Sequence, residues 1–437
     1  MSASRDYAAS VAALERSLCF GIHPSLDGIE VLTAAMGYPE SSFASAQITG
    51  TNGKTSVTRL LSAVLRAHGM RTGTYTSPHL IEYAERIEVD GRVVMGKEFA
   101  RAIFSALDAA TATGGSEDTY TEFEILTAAA LDAFRAGSVD WACLEVGMGG
   151  RWDATSVVSP RVSVITGVAL DHTDRLGTTR AQIAADKAFI IKPGATAVLG
   201  PGCAGVEDVL IERACQAGSP IVRVGLRDPD VTWAVTVPPS TPGGVMLMDV
   251  HCALRTYADL GVHAPSYQAP NVAVALAAAE AALGRPLDAG ALRQALGAMT
   301  FPGRFQVVRE TPLLIIDGAH NPQAAGVLAD AVRESFGPGR PVFLLGAMAD
   351  KDVTGIVAAL APVAVGFVCT ASRSDRALAP EALAGVVRAG GGDVLAVEPD
   401  VPAALAWTGA AGVPAVIAAG SIYIAGEVLA SAGSELT

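Results

Sequence analysis

Gly50-Thr51-Asn52-Gly53-Lys54-Thr55-Ser56 has the residue types needed to hold a triphosphate. It lies at the end of an apolar-leaning segment and just before Val57–His68, which reads as a helix. Glycines let a backbone approach phosphate oxygens, and the free N–H groups of a helix start point at them. Lys54 can reach the β/γ-phosphates, and the hydroxyl of Thr55 or Ser56 can reach Mg²⁺. The loop is shorter than the usual eight-residue phosphate loop. A plain glycine turn is its bland alternative, so other residues must say what the nucleotide is for.

Several polar clusters follow apolar, strand-like runs. Thr76-Ser77-Pro78-His79-Leu80 is one. Glu145-Val146-Gly147-Met148-Gly149-Gly150-Arg151-Trp152-Asp153 is another, and Leu170-Asp171-His172 a third. A carboxylate ending a buried strand is costly unless it is paired or bound to metal. Glu145 is therefore a Mg²⁺ ligand, or the partner of Arg151 in a salt bridge. His172, between Asp171 and a Thr-Asp pair, is a candidate metal ligand. His320, in Asp317-Gly318-Ala319-His320-Asn321-Pro322, either faces the phosphates or caps the next helix. Lys187 sits among apolar residues in Ile183–Lys192, where a snorkelling surface lysine is the bland reading. His23, His68, His251 and His263 have no motif around them.

The elements that must position these groups alternate. Strands are expected at Ala46–Ile48, Thr72–Thr76, Val139–Val146, Val162–Thr166 and Ala195–Leu199. Helices are expected at Val57–His68, Gly96–Ala109, Glu122–Phe134 and Thr179–Ile191. Such alternation predicts βαβ units, with ligands held beyond the carboxyl ends of a mainly parallel sheet. Val231–Arg255, with its Pro/Gly cluster at 238–244, predicts antiparallel hairpins. Helices at Ala269–Leu283 and Asp288–Met299 follow, Asp288 serving as an N-cap. Phe301-Pro302-Gly303-Arg304 reads as an inter-domain hinge, dividing 1–300 from 301–437. Beyond it a second βα series has strands at Leu313–Ile316, Val342–Leu345, Gly366–Thr370, Asp393–Val397 and Ala415–Ala419, with helices at Gln323–Phe336 and Pro380–Arg388.

A chain of 437 residues exceeds what one hydrophobic core usually serves. The formal net charge of −13 argues against nucleic acid, whose binding needs clustered Lys and Arg. The six cysteines are scattered without zinc spacing and read as reduced thiols. The N-terminus lacks a basic start followed by an apolar core, and no apolar run is long enough for a bilayer, so a cytoplasmic protein without membrane partners is expected.

Taken in order, these segments resemble the folylpolyglutamate synthase/dihydrofolate synthase family of the Mur ligase superfamily. The resemblance runs from about Gly21 to the C-terminus. TGTNGKTS at Thr49–Ser56, TSPHL at Thr76–Leu80, EVGMGGRWDAT at Glu145–Thr155 and DGAHNP at Asp317–Pro322 carry it. So do TEFEILT at Thr121–Thr127, DHTDRLG at Asp171–Gly177 and GAMADKD at Gly346–Asp352. It implies an N-terminal ATPase domain with a phosphate loop, a mainly parallel sheet and a small antiparallel one. A C-terminal Rossmann-like α/β domain follows.

The implied enzyme is an ATP-dependent amide ligase, acting as a monomer. ATP phosphorylates the carboxylate of dihydropteroate or of a reduced folate, and the amine of L-glutamate attacks the acyl phosphate. By this resemblance Gly50–Ser56, Asn271, Arg304 and Asp317 hold ATP, with Lys54, Lys187, Arg304 and His320 serving catalysis. Thr55, Ser77, Glu145, His172 and a carbamylated Lys187 serve two Mg²⁺ sites. Thr121, Phe123, Glu124, Trp152 and Asp153 border the pterin. The chain departs from the family at Ser156 (usually Asn), Phe189 (Gly), Tyr267 (often His) and Phe301 (often Trp), and matches it poorly at Phe20–Leu26. Phe189 and Ser156 motivate a rival reading, ligation to a different pterin-like or secondary-metabolite acid. A catalytically silent nucleotide-binding regulator is the rival from another class.

Overall fold

Trp141–Glu145 and Val162–Gly167 are buried along their whole length, as strands covered on both faces must be. The computed structural model, which describes residues 5–17, 24–114 and 119–434, places them at the centre of an eight-stranded sheet. Its strands are β1 (Ala44–Thr49), β2 (Thr72–Tyr75), β3 (Ile87–Val89), β4 (Arg92–Val93), β5 (Trp141–Glu145), β6 (Val162–Gly167), β7 (Thr196–Gly202) and β8 (Ile221–Arg223). Their spatial order is β4-β3-β2-β5-β1-β6-β7-β8. From β2 to β8 every pairing is parallel; β3 and β4 form an antiparallel edge. The register sets Ile48 beside Glu145 on one side and Val164 on the other. The carboxyl ends of β2, β5, β1 and β6 therefore emerge side by side.

Two buried clusters serve this part of the chain. One gathers Phe99, Leu126, Phe134 and Tyr75; the other gathers Ile165, Ile183, Ile190 and Leu199. A three-stranded antiparallel sheet follows, β9 (Thr232–Val237), β10 (Val245–His251) and β11 (Thr256–His263), ordered β11-β10-β9. The 238–244 cluster is its first connection, and a turn closed by Cys252 N–H on Arg255 O at 3.0 Å is its second. The third strand extends past the predicted hairpin region.

A six-stranded sheet occupies the C-terminal part: β12 (Gln306–Glu310), β13 (Leu313–Ile316), β14 (Val342–Leu345), β15 (Gly366–Cys369), β16 (Val394–Val397) and β17 (Ala415–Ala419). The order is β12-β13-β17-β14-β15-β16, parallel except for β12. Its core gathers Phe343, Phe367, Leu328, Ile356 and Ile417. The chain forms two compact units: Met1–Ala234 with Asp249–Ala258 and Pro270–Leu296, and Val235–Met248 with Asp259–Ala269 and Gly297–Thr437. Most expected elements appear within a few residues of their expected ends. No helix among the described residues is long and apolar enough to cross a membrane. Part of the poorly matching Phe20–Leu26 segment, residues 20–23, lies outside the described residues, as do Cys19 and His23.

Candidate active site

Strand β1 ends at Thr49, and the loop Gly50–Gly53 passes directly into the helix Lys54–Ala67. This helix starts three residues before the expected Val57. Gly53, at φ +85°, is its N-cap, so Lys54, Thr55 and Ser56 form the first turn and offer their N–H groups. A side chain at Gly53 would lie 2.6 Å from Asn271 Oδ1, and one at Gly50 (φ +153°) 1.9 Å from Thr166 Oγ1. Both positions combine a backbone conformation that L-residues rarely adopt with no space for Cβ. Asn271 comes from the start of the helix Ala269–Leu283. The loop is fastened further by Thr166 Oγ1 donating to Asn52 O (2.6 Å) and Thr51 N–H donating to Gly167 O (2.9 Å).

Three cluster ends converge on the loop. Glu145, 1 % exposed at the end of β5, accepts from Thr55 Oγ1 at 2.9 Å and from the Ser77 N–H at 3.1 Å. One hard carboxylate is thus held against two residues that also carry hydroxyl oxygens. This donor set suits Mg²⁺, which takes one or two carboxylates and completes its shell with water and phosphate. The salt bridge weighed for Glu145 is not what Arg151 does. The Arg151 guanidinium lies over the rings of Trp152 (4.6 Å) and Phe189 (4.5 Å). Among the described residues no three His, Cys, Asp or Glu cluster as a metal cage.

Lys187 is not a snorkelling lysine. It ends the helix Arg180–Lys187 at 4 % exposure, and its Nζ donates to Gly50 O at 3.2 Å. Burial, reinforced by the nearby Lys54 cation, lowers its pKa to about 7. Gly50, Lys54, Asp171, His172 and Lys187 line one small recess together with the Gly147–Gly149 segment. Lys54 Nζ donates to Gly50 O (3.0 Å) and Thr51 O (3.3 Å). His172 has an exposed side chain, sits at φ 49°, and brings its Nε2 within 3.9 Å of Asp171 Oδ2.

Behind these groups stands a frame that single-sequence reading undervalued. Buried Asp153 accepts from the N–H groups of Met148 (3.1 Å) and Thr155 (3.0 Å) and from Thr155 Oγ1 (2.5 Å), anchoring the loop after Glu145. Burial raises its pKa. Glu85 takes the N–H groups of Leu80, Ile81 and Glu82 at 2.8–2.9 Å and so orders the loop after Ser77. His79 Nδ1 accepts from Arg86 Nε at 3.0 Å; burial and that guanidinium lower its pKa to about 4, so it is neutral near pH 7. Thr121 and Glu124 form a reciprocal capping box, with Glu124 Oε2 accepting from Thr121 N–H (2.9 Å) and Oγ1 (2.8 Å). The Phe123 and Tyr75 ring centroids lie 5.9 Å apart, and Trp152 is 43 % exposed. The Ser-Thr-rich spacing around Asp153 and the Glu85-Arg86 pair were the available signals for this frame.

In the second unit Asp317 is 4 % exposed. It accepts from Phe305 N–H (2.8 Å), Ala319 N–H (2.8 Å) and Tyr267 Oη (3.2 Å). Burial raises its pKa, against the pull of Arg304. Arg304 donates to Gly303 O at 3.0 Å. Asn321 Oδ1 accepts from Ala324 N–H at 2.9 Å, so Asn321 rather than His320 caps the helix Pro322–Phe336. His320 Nδ1 donates to Gly318 O at 2.9 Å.

A strand–loop–helix phosphate loop with a metal-suited carboxylate, followed by a separate α/β unit, defines an ATP-dependent C–N ligase of Mur type. Residues 96–279 match the Mur ligase middle domain, and 303–422 the Mur ligase glutamate ligase domain. The chain belongs to the dihydrofolate synthase/folylpolyglutamate synthase family. It is 39 % identical over 383 residues to the dihydrofolate synthase/folylpolyglutamate synthase of Mycobacterium tuberculosis, an alignment covering 83 % of this chain and 77 % of that protein. The fold matches the M. tuberculosis folylpolyglutamate synthase complexed with ADP and AMPPCP at TM-score 0.89 and 34 % identity, over 98 % of this chain and 99 % of that one. It also matches the bifunctional folylpolyglutamate synthase/dihydrofolate synthase of Yersinia pestis, complexed with AMPPNP and Mn ion. There the TM-score is 0.82 and the identity 30 %, with 97 % of each chain covered.

Proposed function

We propose that this enzyme joins L-glutamate to dihydropteroate, to the γ-carboxylate of a reduced folate, or to both, through an acyl phosphate. The observation that carries the reading is the grip of Thr55 and Ser77 on Glu145 beside a loop shaped for phosphates. The acceptor carboxylate attacks the γ-phosphorus of ATP and ADP leaves. The amine of glutamate then adds to the acyl carbon, loses a proton, and phosphate departs as the amide forms.

Phosphoryl transfer of this kind needs positioning and charge neutralisation rather than a protein nucleophile. Gly50–Ser56 and Asn271 hold the nucleotide, and Lys54 balances charge on its β/γ-oxygens. Glu145, Thr55 and Ser77 would hold one Mg²⁺, which would neutralise charge on the phosphates; Glu145 with His172 and Lys187 would serve a second ion. A Lys187 amine with a pKa near 7 is largely uncharged in mild alkali and open to CO₂, and the carbamate so formed would face the Lys54 cation. Thr121, Phe123, Glu124, Trp152 and Asp153 border the acceptor's ring system. For Arg304, Asp317 and His320 the reading follows the resemblance: Arg304 and Asp317 serve the nucleotide and His320 the transferred phosphoryl group. Monomeric action and two metal sites belong to the same reading.

The rival acceptor reading rested on Phe189 and Ser156. Phe189 is exposed between Arg151 and Arg213. Ser156 Oγ donates to Gly150 O (2.6 Å) and accepts from Gln47 Nε2 (2.8 Å). Neither side chain is among the residues that line the Lys187 recess. Phosphate release from ATP, measured with dihydropteroate and with a reduced folate in the presence of glutamate, tests the proposal. Turnover with either is expected; none with either would sink it. A silent regulator would instead show the same residual signal in Lys54→Ala and Glu145→Ala as in the parent.

A further inference from the structure

Trp152, Arg151, Phe189 and Arg213 form a ladder that the reaction described so far does not use. Arg151 Cζ lies 4.6 Å from the Trp152 ring centroid and 4.5 Å from that of Phe189. Arg213, from the helix Glu207–Ala217, brings its Cζ to 5.3 Å from the same Phe189 ring. One aromatic ring thus holds two guanidinium groups, no further apart than those two distances allow.

Neither guanidinium forms an ion pair or side-chain hydrogen bond among the described residues, and Arg213 Nε is shielded from solvent with no acceptor. The acid nearest to Arg151 by bonding, Asp186, takes its backbone N–H at 3.5 Å instead. On a chain of formal net charge −13, two cations thus lie against one ring without carboxylate partners among the described residues. Stacking on rings leaves the N–H edges of a guanidinium free for carboxylates, which it binds in bidentate fashion. The ladder also adjoins the active recess in sequence: Arg151 follows the Gly147–Gly149 wall, and Phe189 is two residues beyond Lys187.

We propose that Arg151 and Arg213, spaced by Phe189, form a subsite for the carboxylates of a glutamylated acceptor, so that this enzyme binds acceptors better as they carry more glutamyl residues. This rests on the ligase reading above and assigns Phe189, the aromatic that departs from the family's glycine, as a specificity-determining residue.

Equilibrium binding of reduced folates with one, two and three glutamyl residues, in the parent and in Arg213→Gln, Arg213→Lys and Phe189→Ala, tests it. Phosphate release is measured in the same series. Affinity should rise about tenfold from one to three glutamyl residues in the parent, and weaken with added salt. Arg213→Gln and Phe189→Ala should flatten the series without changing affinity for the monoglutamate, and Arg213→Lys should restore part of it. A flat series in the parent, or an equal gradient in all four proteins, overturns the proposal. A gradient in binding without phosphate release from any acceptor would leave the subsite standing and remove the ligase reading.

Discussion

At the scale of single residues, Lys187 shows how burial makes chemistry available. Its folded pKa is lowered, so between about pH 7 and its ordinary value the unfolded chain holds the extra proton. Stability therefore rises with pH across that window, and the cost of burying the amine is fully present below pH 7. Lys187→Met should stabilise the protein at pH 6 by on the order of 3 kcal/mol, by clearly less at pH 9, and abolish turnover. Urea midpoints at the two pH values check this; a gain independent of pH would mean the amine is not strained by burial. Gly53 is the second such residue. Gly53→Ala must accept φ +85° and displace the Asn271 amide. A loss of about 1–3 kcal/mol is expected, with nucleotide binding weakened at least tenfold in a titration with an ATP analogue. Unchanged affinity would show that the loop relaxes without consequence.

At the scale of elements, Glu145 is held by a strand end and Lys187 by a helix end, and the loops beside Glu145 and Ser77 are held by two further acids. Asp153 and Glu85 each satisfy two or three backbone N–H groups in loops next to Glu145 and Ser77. Removing Asp153 leaves buried donors unpaired, so Asp153→Ala should cost about 2–4 kcal/mol and lower kcat as the loop after Glu145 loosens. Thr121→Ala removes one cap and should cost about 1 kcal/mol, raising the KM for the acceptor while changing kcat less than Asp153→Ala does. Thermal melts beside kcat values separate the two; a stable, slow Asp153→Ala would give that residue a direct role.

Elements of this kind were largely legible in the sequence, because buried parallel strands read as uniform apolar runs and glycine marks their ends. The early start of the helix at Lys54 was not, since Lys-Thr-Ser has no apolar period and only the left-handed Gly53 announces the cap. Nor was the reach of Lys187, which depends on the packing of the helix Arg180–Lys187 against the phosphate loop. The roles of Asp153 and Glu124 as loop and helix anchors were equally hidden, because a carboxylate that binds a ligand and one that binds backbone look alike in one dimension.

At the scale of the whole molecule, the two units have separate buried cores. A ligand that binds the folded chain and not the unfolded one stabilises it by mass action, about 2.7 kcal/mol at one hundred times its Kd. Calorimetry with a non-hydrolysable ATP analogue and Mg²⁺ should show that gain in the parent and little of it in Lys54→Ala. An equal gain in the variant would take the phosphate loop out of nucleotide binding.

The contact between Gly53 and Asn271 has a consequence in time as well as space. The phosphate loop is translated early, but one of its walls arrives only with the helix Ala269–Leu283, after β5, β6 and the small sheet have been made. A nascent chain still waiting for that helix lacks the amide against which Gly53 is shaped. The loop Gly50–Gly53 therefore meets its folded surroundings only when the first unit is nearly complete.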